Sequence, residues 1–457
     1  MCGILGIINT NNENVSKNLF RGSLALQHRG QDGYGITTYY ENNFYTLRRN
    51  GLLLDDRDFY DLGSSLPGNI GISHMRYATS GIGSLNEIQP FTFGITLAGV
   101  HNGNIVNFKK INNELGLESN SDSESLFNLF NTYLSKYDTL TSINKIFNDL
   151  KGAFSIIGIV PEGLLAFRDS NGFKPLVIGN NNENFAFASE SVVFDTLDFN
   201  LIKDVNPGSV IIIKHNGEIE EHQIRLNNVT HCVFEYIYLA RPESIIDGKN
   251  VSEVRENLGK SLVDDFKLEI DYVSDVPSSA VDAALGFSEK AKIKYKKFIR
   301  KNPYTQRSFI QPNDKSRNLV LDAKFHFDKN YINNKKIAIV DDSIVRGNTA
   351  KKIISKLKKR GAKEIHILSS APEIKYPCFY GVDMSVSEEL IANNKTVDEI
   401  KSFIGCDSLS YQTVNGVVEA VGHCNLCMAC FTGKYPVEID QDEISYISNN
   451  RKKVVYK

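Results

Sequence analysis

Apolar and polar positions alternate over short runs through the first half of the chain. Residues 3–8, 39–47, 95–100, 155–160, 164–168 and 210–214 each read as a strand bounded by Gly, Asn or Asp turns. Two stretches carry helical spacing instead. One is 16–27, apolar at Leu19, Phe20, Leu24 and Leu26; the other is 123–136, with Leu126, Phe127, Leu129, Phe130 and Leu134 behind the acidic opening Asp122-Ser123-Glu124. Strands that do not alternate regularly with helices predict an α+β or layered arrangement up to about residue 230.

The pattern changes near residue 251. A helix over 251–266, a strand over 270–273 and a helix over 279–290 are followed by a strand at 337–340. A helix at 349–359 then stops at Gly361 before a strand at 364–369. That alternation predicts a parallel, doubly wound sheet. The charged, Asn-rich stretch 300–324 reads as a long functional loop, and the tail beyond Cys430 as polar or helical.

Composition narrows the function classes. The 457 residues hold 52 Lys+Arg against 54 Asp+Glu, a formal charge of −2 that gives no general attraction to nucleic acid or anionic lipid. No apolar run is long enough for a membrane helix. The start, Met1-Cys2-Gly3-Ile4, has no basic flank or small-residue cleavage site, so the expectation is a cytoplasmic protein without a secretory signal. In that compartment the seven cysteines point to metal or catalysis rather than disulfides.

Cys2 is the first candidate. Once Met1 is removed, its α-amine, with an ordinary pKa near ~8, lies within reach of its own sulfur and can serve as the base for the thiol. Four further blocks follow: His28-Arg29-Gly30-Gln31-Asp32-Gly33, His74-Met75-Arg76-Tyr77-Ala78-Thr79, His101-Asn102-Gly103-Asn104 and Ser121-Asp122-Ser123-Glu124. In order and approximate spacing the set resembles the class II, N-terminal nucleophile glutamine amidotransferases. The resemblance implies that Arg76 binds the glutamine carboxylate and Asp122 its ammonium. It also implies that Asn102 and Gly103 form the oxyanion hole, and that Thr79 and Arg29 line the pocket. An Asn amide beside a Gly N–H is a suitable donor pair for a tetrahedral oxyanion.

A second candidate is the strand, carboxylate pair, turn and helix start Ile337-Ala338-Ile339-Val340-Asp341-Asp342-Ser343-Ile344-Val345-Arg346-Gly347-Asn348-Thr349. Backbone N–H groups at such a helix start favour a phosphate. A nucleoside-triphosphate loop does not fit, because the nearest match, Gly259-Lys260-Ser261, lacks the first glycine. These thirteen residues resemble the signature by which type I phosphoribosyltransferases bind phosphoribosylpyrophosphate (PRPP). They are most similar to the version in the amidophosphoribosyltransferase family, as are the blocks at 234–244, 308–312 and 429–436. The resemblance implies an Ntn αββα glutaminase domain over 2–230, a phosphoribosyltransferase domain over 231–405 and a C-terminal segment over 406–457. It further implies that Asp341 and Asp342 hold ribose and Mg²⁺ with Ser279, and that 343–349 hold the 5-phosphate. The resemblance also implies that Lys301 and Arg307 belong to a flexible loop over PRPP.

That loop departs from the family. It reads Lys301-Asn302-Pro303-Tyr304-Thr305-Gln306-Arg307-Ser308-Phe309, with Pro for a usual Arg and Gln for a usual Gly. Asp322 and Ala323 stand where Arg is common, and Ser278 replaces an acidic residue. Fewer arginines leave less neutralising charge for pyrophosphate. The alternative reading is therefore a catalytically weakened paralogue that binds PRPP or nucleotides as a regulator.

Cys424, Cys427 and Cys430 lack the fourth Cys followed by Pro of a ferredoxin run, since position 434 is Lys. Spacing alone leaves iron–sulfur, zinc with His423, and inert thiols open. The resemblance to the iron–sulfur type implies a [4Fe–4S] cluster held by Cys232, Cys378, Cys427 and Cys430, with Cys424 and Cys406 outside it. It also implies glutamine and PRPP as substrates, purine-nucleotide inhibitors and a homotetramer or dimer.

Overall fold

The computed structural model describes residues 2–55, 65–77, 85–182, 184–264, 266–302, 324–384 and 386–455. Of the expected site residues, Thr79 and Arg307 lie outside these, as do the loop departures Pro303, Gln306, Asp322 and Ala323.

Among the described residues, thirteen strands form two stacked antiparallel sheets in the first half. They are β1 (Gly3–Asn9), β2 (Gly33–Tyr40), β3 (Asn43–Asn50), β4 (Ile70–Arg76), β5 (Phe91–Phe93), β6 (Leu97–Ile105), β7 (Gly152–Val160), β8 (Gly163–Arg168), β9 (Val177–Asn181), β10 (Asn184–Ala188), β11 (Asn200–Asp204), β12 (Ser209–Lys214) and β13 (Ile219–Gln223). The orders are β11-β9-β10-β1-β4-β2-β3 and β13-β12-β8-β7-β6-β5.

Strand periodicity explains the layering. Ile4 and Ile8 of β1 point into a core shared with Ala98 and Val100 of β6, Ile157 and Ile159 of β7 and Ile211 and Ile213 of β12. The alternate residues Leu5 and Ile7 face the helices Ser16–Ala25 and Val192–Leu197. Phe154, Ile156, Leu165 and Phe167 face the helices Phe108–Leu115, Asp122–Leu134 and Thr139–Asp149. Both faces of each sheet are buried, giving the αββα sandwich expected from the resemblance. The run 39–47 is not one strand: Glu41 and Asn42 adopt positive φ of 46° and 59° and turn the chain from β2 into β3. A tight two-residue hairpin of this kind favours residues that tolerate positive φ, Asn among them.

The second half begins with β14 (His231–Cys232) and the small hairpin of β15 (Ile245–Ile246) and β16 (Lys249–Asn250). Its sheet contains β17 (Tyr272–Asp275), β20 (Lys336–Asp341), β21 (Glu364–Ser369) and β22 (Ser408–Tyr411), all parallel, in the order β17-β20-β21-β22. The edge strand β22 comes from the segment expected to begin at 406. Ile337 and Ile339 of β20 enter one core and Ala338 and Val340 the other, as a sheet covered on both faces requires. A separate hairpin, β18 (Ile299–Lys301) and β19 (Phe325–Phe327), flanks it, and β23 (Leu426–Cys427) runs parallel to β14.

The helix expected over 251–266 ends at Ser261 and is followed by Leu262 as its cap. It packs on Val281–Ala291 through glycines. A Cβ on Gly259 would lie 1.8 Å from the Ala283 carbonyl oxygen, and one on Gly286 2.0 Å from that of Glu256. Gly259→Ala should therefore force the helices apart and cost about 1–3 kcal/mol, read as a lower urea midpoint; an unchanged midpoint would show that the contact yields freely.

Candidate active sites

Cys2 precedes β1 at one end of the first sandwich. Its Sγ lies 3.8 Å from the carbonyl oxygen of Tyr77, and its own carbonyl accepts a 3.0 Å hydrogen bond from Arg29 Nε. The Arg29 guanidinium is buried. It pairs with Glu190, and its Nη2 donates to both oxygens of Glu235 at 3.0 and 2.9 Å. Burial alone would lower the Arg29 pKa, but Glu235 and Glu190 reverse that and hold it above its ordinary value. Burial likewise opposes ionisation of Glu190, yet Arg29 and His28 keep its carboxyl well below the usual range. Arg29 thus reaches Cys2 through the Cys2 backbone carbonyl.

Antiparallel pairing of Gly3 with Met75 and of Gly33 with Arg76 brings Arg76 to the same sheet end as Cys2. Its Nη2 lies 2.8 Å from Glu87 Oε2. From the facing sheet, β6 supplies Asn102 and Gly103. Asn102 is 1% exposed, and neither its amide nitrogen nor its amide oxygen has a hydrogen-bond partner. Orphaned buried polar atoms are rare, and one explanation is a ligand that completes them. Gly103 is required by space: a Cβ would stand 2.0 Å from the Ala153 carbonyl oxygen.

Asp122 opens the helix Asp122–Leu134, whose preceding Ser121 accepts a 3.3 Å bond from Glu124 N. Asp122 Oδ2 accepts from Ile105 N at 3.0 Å, fastening the helix start to the end of β6. His74, also on β4, is buried with both ring nitrogens unpartnered, and burial holds its pKa well below the ordinary value, reinforced by Arg76. Sequence reasoning quoted His74 without giving it a role. Glu235, inside the 234–244 block, likewise has no role from sequence, and Glu87 and Glu190 carry no signal at all, since nothing local marks residues whose partners are brought by pairing and domain packing.

The second site lies at the C-terminal end of β20. Asp341 and Asp342 are both buried, and Asp341 Oδ1 accepts from Asp342 N at 3.0 Å. Asp342 accepts hydrogen bonds from the hydroxyls of Ser279 and, at 2.6 Å, Ser343. Burial, then the Asp342 charge, pushes the Asp341 carboxyl far up; burial also raises Asp342 against the pull of the two serines. Two destabilised carboxylates side by side fit a divalent cation, which would relieve both.

The following turn divides by role. Ile344 is buried and Val345 packs on the junction core, so these two contribute backbone rather than side chains. Gly347, with φ 73°, caps the helix Asn348–Lys359. Asn348 and Thr349 are exposed at its start, and Arg346 pairs with Glu389. Lys301 is exposed at the end of β18, paired across the hairpin with Phe325. Lys324, to which no role was assigned from sequence, acts on Asp341 as a nearby positive charge.

Cys232, Cys378, Cys427 and Cys430 line one cavity together with Phe173, Val233, Phe234, Tyr380, Val382, Met384 and Ala429. Cys232 and Cys427 are direct partners in the β14–β23 pair. Burial pushes the Cys232 thiol up to about 11 and raises Cys427 and Cys430 further. Among the described residues no three His, Cys, Asp or Glu side chains are arranged to hold a single metal ion. Cys424 is exposed and Cys406 belongs to the core beside the parallel sheet, so neither lines this cavity. No helix among the described residues is long and apolar enough to cross a membrane.

A model of the glutamine amidotransferase domain family matches residues 74–196. An amidophosphoribosyltransferase of Methanocaldococcus jannaschii is 40% identical over 97% of this chain and 99% of its own. The solved glutamine PRPP amidotransferase of Bacillus subtilis, complexed with ADP and GMP, is 36% identical, with a TM-score of 0.88 over 96% of this chain and 98% of that one. A second structure, described as the allosteric regulatory enzyme of purine biosynthesis, gives a TM-score of 0.90 at 36% identity, covering 97% of each chain. Likeness of this extent, spanning both halves and the junction between them, makes the chain a member of the amidophosphoribosyltransferase family.

Proposed function

We propose that the chain is a glutamine-dependent transferase that converts PRPP and glutamine to 5-phosphoribosylamine, glutamate and pyrophosphate, the committed step of purine synthesis. The observation that carries the reading is the full-length likeness to amidophosphoribosyltransferases together with the orphaned amide of Asn102 at the Cys2 end of the sandwich.

The Cys2 thiol gives its proton to the α-amine freed by removal of Met1 and attacks the glutamine amide carbon. The Asn102 amide N–H and the Gly103 backbone N–H stabilise the tetrahedral oxyanion. Collapse releases ammonia and leaves a glutamyl thioester, which water hydrolyses to glutamate. Arg76 and Asp122 hold the glutamine carboxylate and ammonium; Thr79, which the resemblance adds to the pocket, lies outside the described residues. Arg29 positions Cys2 through its carbonyl.

At the second site ammonia attacks C1 of PRPP and pyrophosphate departs. Asp341 and Asp342 take the ribose hydroxyls, and Ser343 to Thr349 cradle the 5-phosphate through backbone N–H groups and hydroxyls. Lys301 and Arg307 supply charge toward pyrophosphate. Asp341, Asp342 and Ser279 suit Mg²⁺, which when bound neutralises the pyrophosphate oxygens.

The four cavity cysteines suit a [4Fe–4S] cluster with a mainly structural role. These four thiols converge on one cavity and would hold such a cluster, whose iron would compensate thiolates that burial alone disfavours. Purine nucleotides as inhibitors, a cytoplasmic location and a homotetrameric or dimeric assembly complete the proposal.

Purified anaerobically and supplied with glutamine, PRPP and Mg²⁺, the protein should release glutamate and pyrophosphate in equal amounts. Glutamate alone would sink the synthase reading, and neither product would favour the regulatory paralogue. Cys2→Ala should abolish glutamine use while ammonia still supports pyrophosphate release; loss of neither activity would refute the nucleophile. Asn102→Ala is expected to lower glutaminase kcat about 10²–10³-fold with KM nearly unchanged, and a kcat within a few-fold of the parent would remove Asn102 from the oxyanion hole. Reconstitution with iron and sulfide under argon should load the parent, and Cys378→Ser should hold far less iron; equal loading would remove Cys378 from the ligand set.

A further inference from the structure

Lys174 is fully buried, and its Nζ has no hydrogen-bond partner. A buried ammonium without hydrogen bonds is costly unless another group answers it. The nearest carboxylate oxygen in an ion pair with it, Glu235 Oε1, is 4.0 Å away, because Glu235 already gives both oxygens to Arg29 at shorter range. The residue is tightly placed. Its carbonyl accepts a 3.0 Å bond from the Ser155 hydroxyl, and the preceding residue, Phe173, lines the cysteine cavity while its carbonyl accepts from Cys232 N at 3.0 Å.

Lys174 stands beside that cavity: Phe173, the residue before it, forms part of the wall, and Glu235, the carboxylate 4.0 Å from Nζ, follows Cys232 by three residues. Four thiolates around a cluster with a 2+ core carry a net double negative charge, in a cavity otherwise walled by Phe173, Val233, Phe234, Tyr380, Val382 and Met384. Such a charge in an apolar wall calls for a cation at close range.

We propose that Lys174 is the internal counter-cation of the four-cysteine site, its unspent N–H donors directed to the sulfur atoms of the bound cluster. Lys174 is then a positioning residue: it sets how firmly the cluster keeps its electrons and takes no part in either catalytic step. The assignment rests on the cluster reading above, and the experiment separates the two.

The full-length protein is reconstituted under argon with iron and sulfide, its iron content measured, and the visible cluster absorption followed after addition of ferricyanide. Ferricyanide takes one electron from the cluster, becoming ferrocyanide, and the oxidised cluster then sheds iron. Removing a nearby positive charge favours the oxidised state. Lys174→Met with parental iron content should therefore bleach about tenfold faster, Lys174→Arg near the parental rate, and Glu235→Gln, which removes a negative charge, more slowly. A parental rate in Lys174→Met, or shifts of the same sign in Lys174→Met and Glu235→Gln, would overturn the assignment while leaving the cluster reading intact. If Lys174→Met holds less iron, Lys174→Arg must restore loading and the neutral donor Lys174→Gln must not. Restoration by both or by neither overturns the assignment. A parent that takes up no iron refutes the cluster reading and the Lys174 assignment together.

Discussion

The Arg29 guanidinium is the tie on which the Cys2 end of the molecule depends. It joins three segments far apart in sequence: the carbonyl of Cys2, Glu190 beyond β10, and Glu235 just past β14. Glu190 also accepts from the backbone of Arg241 and the hydroxyl of Ser244, so the same charges fasten the first half to the opening of the second. A buried set of this kind contributes little over an apolar core, but removing one member strands the others at about 3–5 kcal/mol. Its value lies in fixing one arrangement of the chain around Cys2.

A second consequence follows from the ends of the strands. Asn102 and Gly103 lie where β6 meets the second half of the chain. Asn104 donates a 2.8 Å hydrogen bond to the Phe379 carbonyl, and a Cβ on Gly381 would stand 2.9 Å from the Gly103 carbonyl oxygen. The Tyr77 hydroxyl reaches Asp383 at 3.1 Å. The segment around Cys378 therefore packs on the strand that carries Asn102 and Gly103.

How much of this was legible in the sequence depended on how local each feature is. The turn from β20 into the helix Asn348–Lys359 writes strand, carboxylates, glycine and helix start in one continuous run. Cys2 is marked by its place behind Met1. Strand periodicity marked β1, β7, β8 and β12 but not β4, β9, β10, β11 or β13, and 39–47, read as one strand, holds a hairpin whose turn is the polar Glu41-Asn42. Lys174, Glu190, Glu235 and Lys324 carried no such signal, because each becomes informative only when pairing and packing bring it to its partner. The three bunched cysteines misled in part: Cys424 is exposed, while Cys232 and Cys378, isolated in sequence, line the cavity.

The cavity also bears on how the junction holds. The β14–β23 pairing has two residues on each side, too few to be stable alone. Its support is the core that draws Val233, Phe234 and Ile237, then Ala371, Ile374 and Leu390, then Val417, Leu426 and Phe431 from three separate stretches. Bringing such distant segments together costs chain entropy that grows only slowly with the length between them. A ligand that bonds to Cys232, Cys378, Cys427 and Cys430 at once would bridge all three stretches and stabilise the folded state by its whole binding free energy. The placement of these thiols, one or two from each stretch and all on one cavity, is what a cross-link between the stretches requires, whereas thiols serving only as apolar filler need not converge.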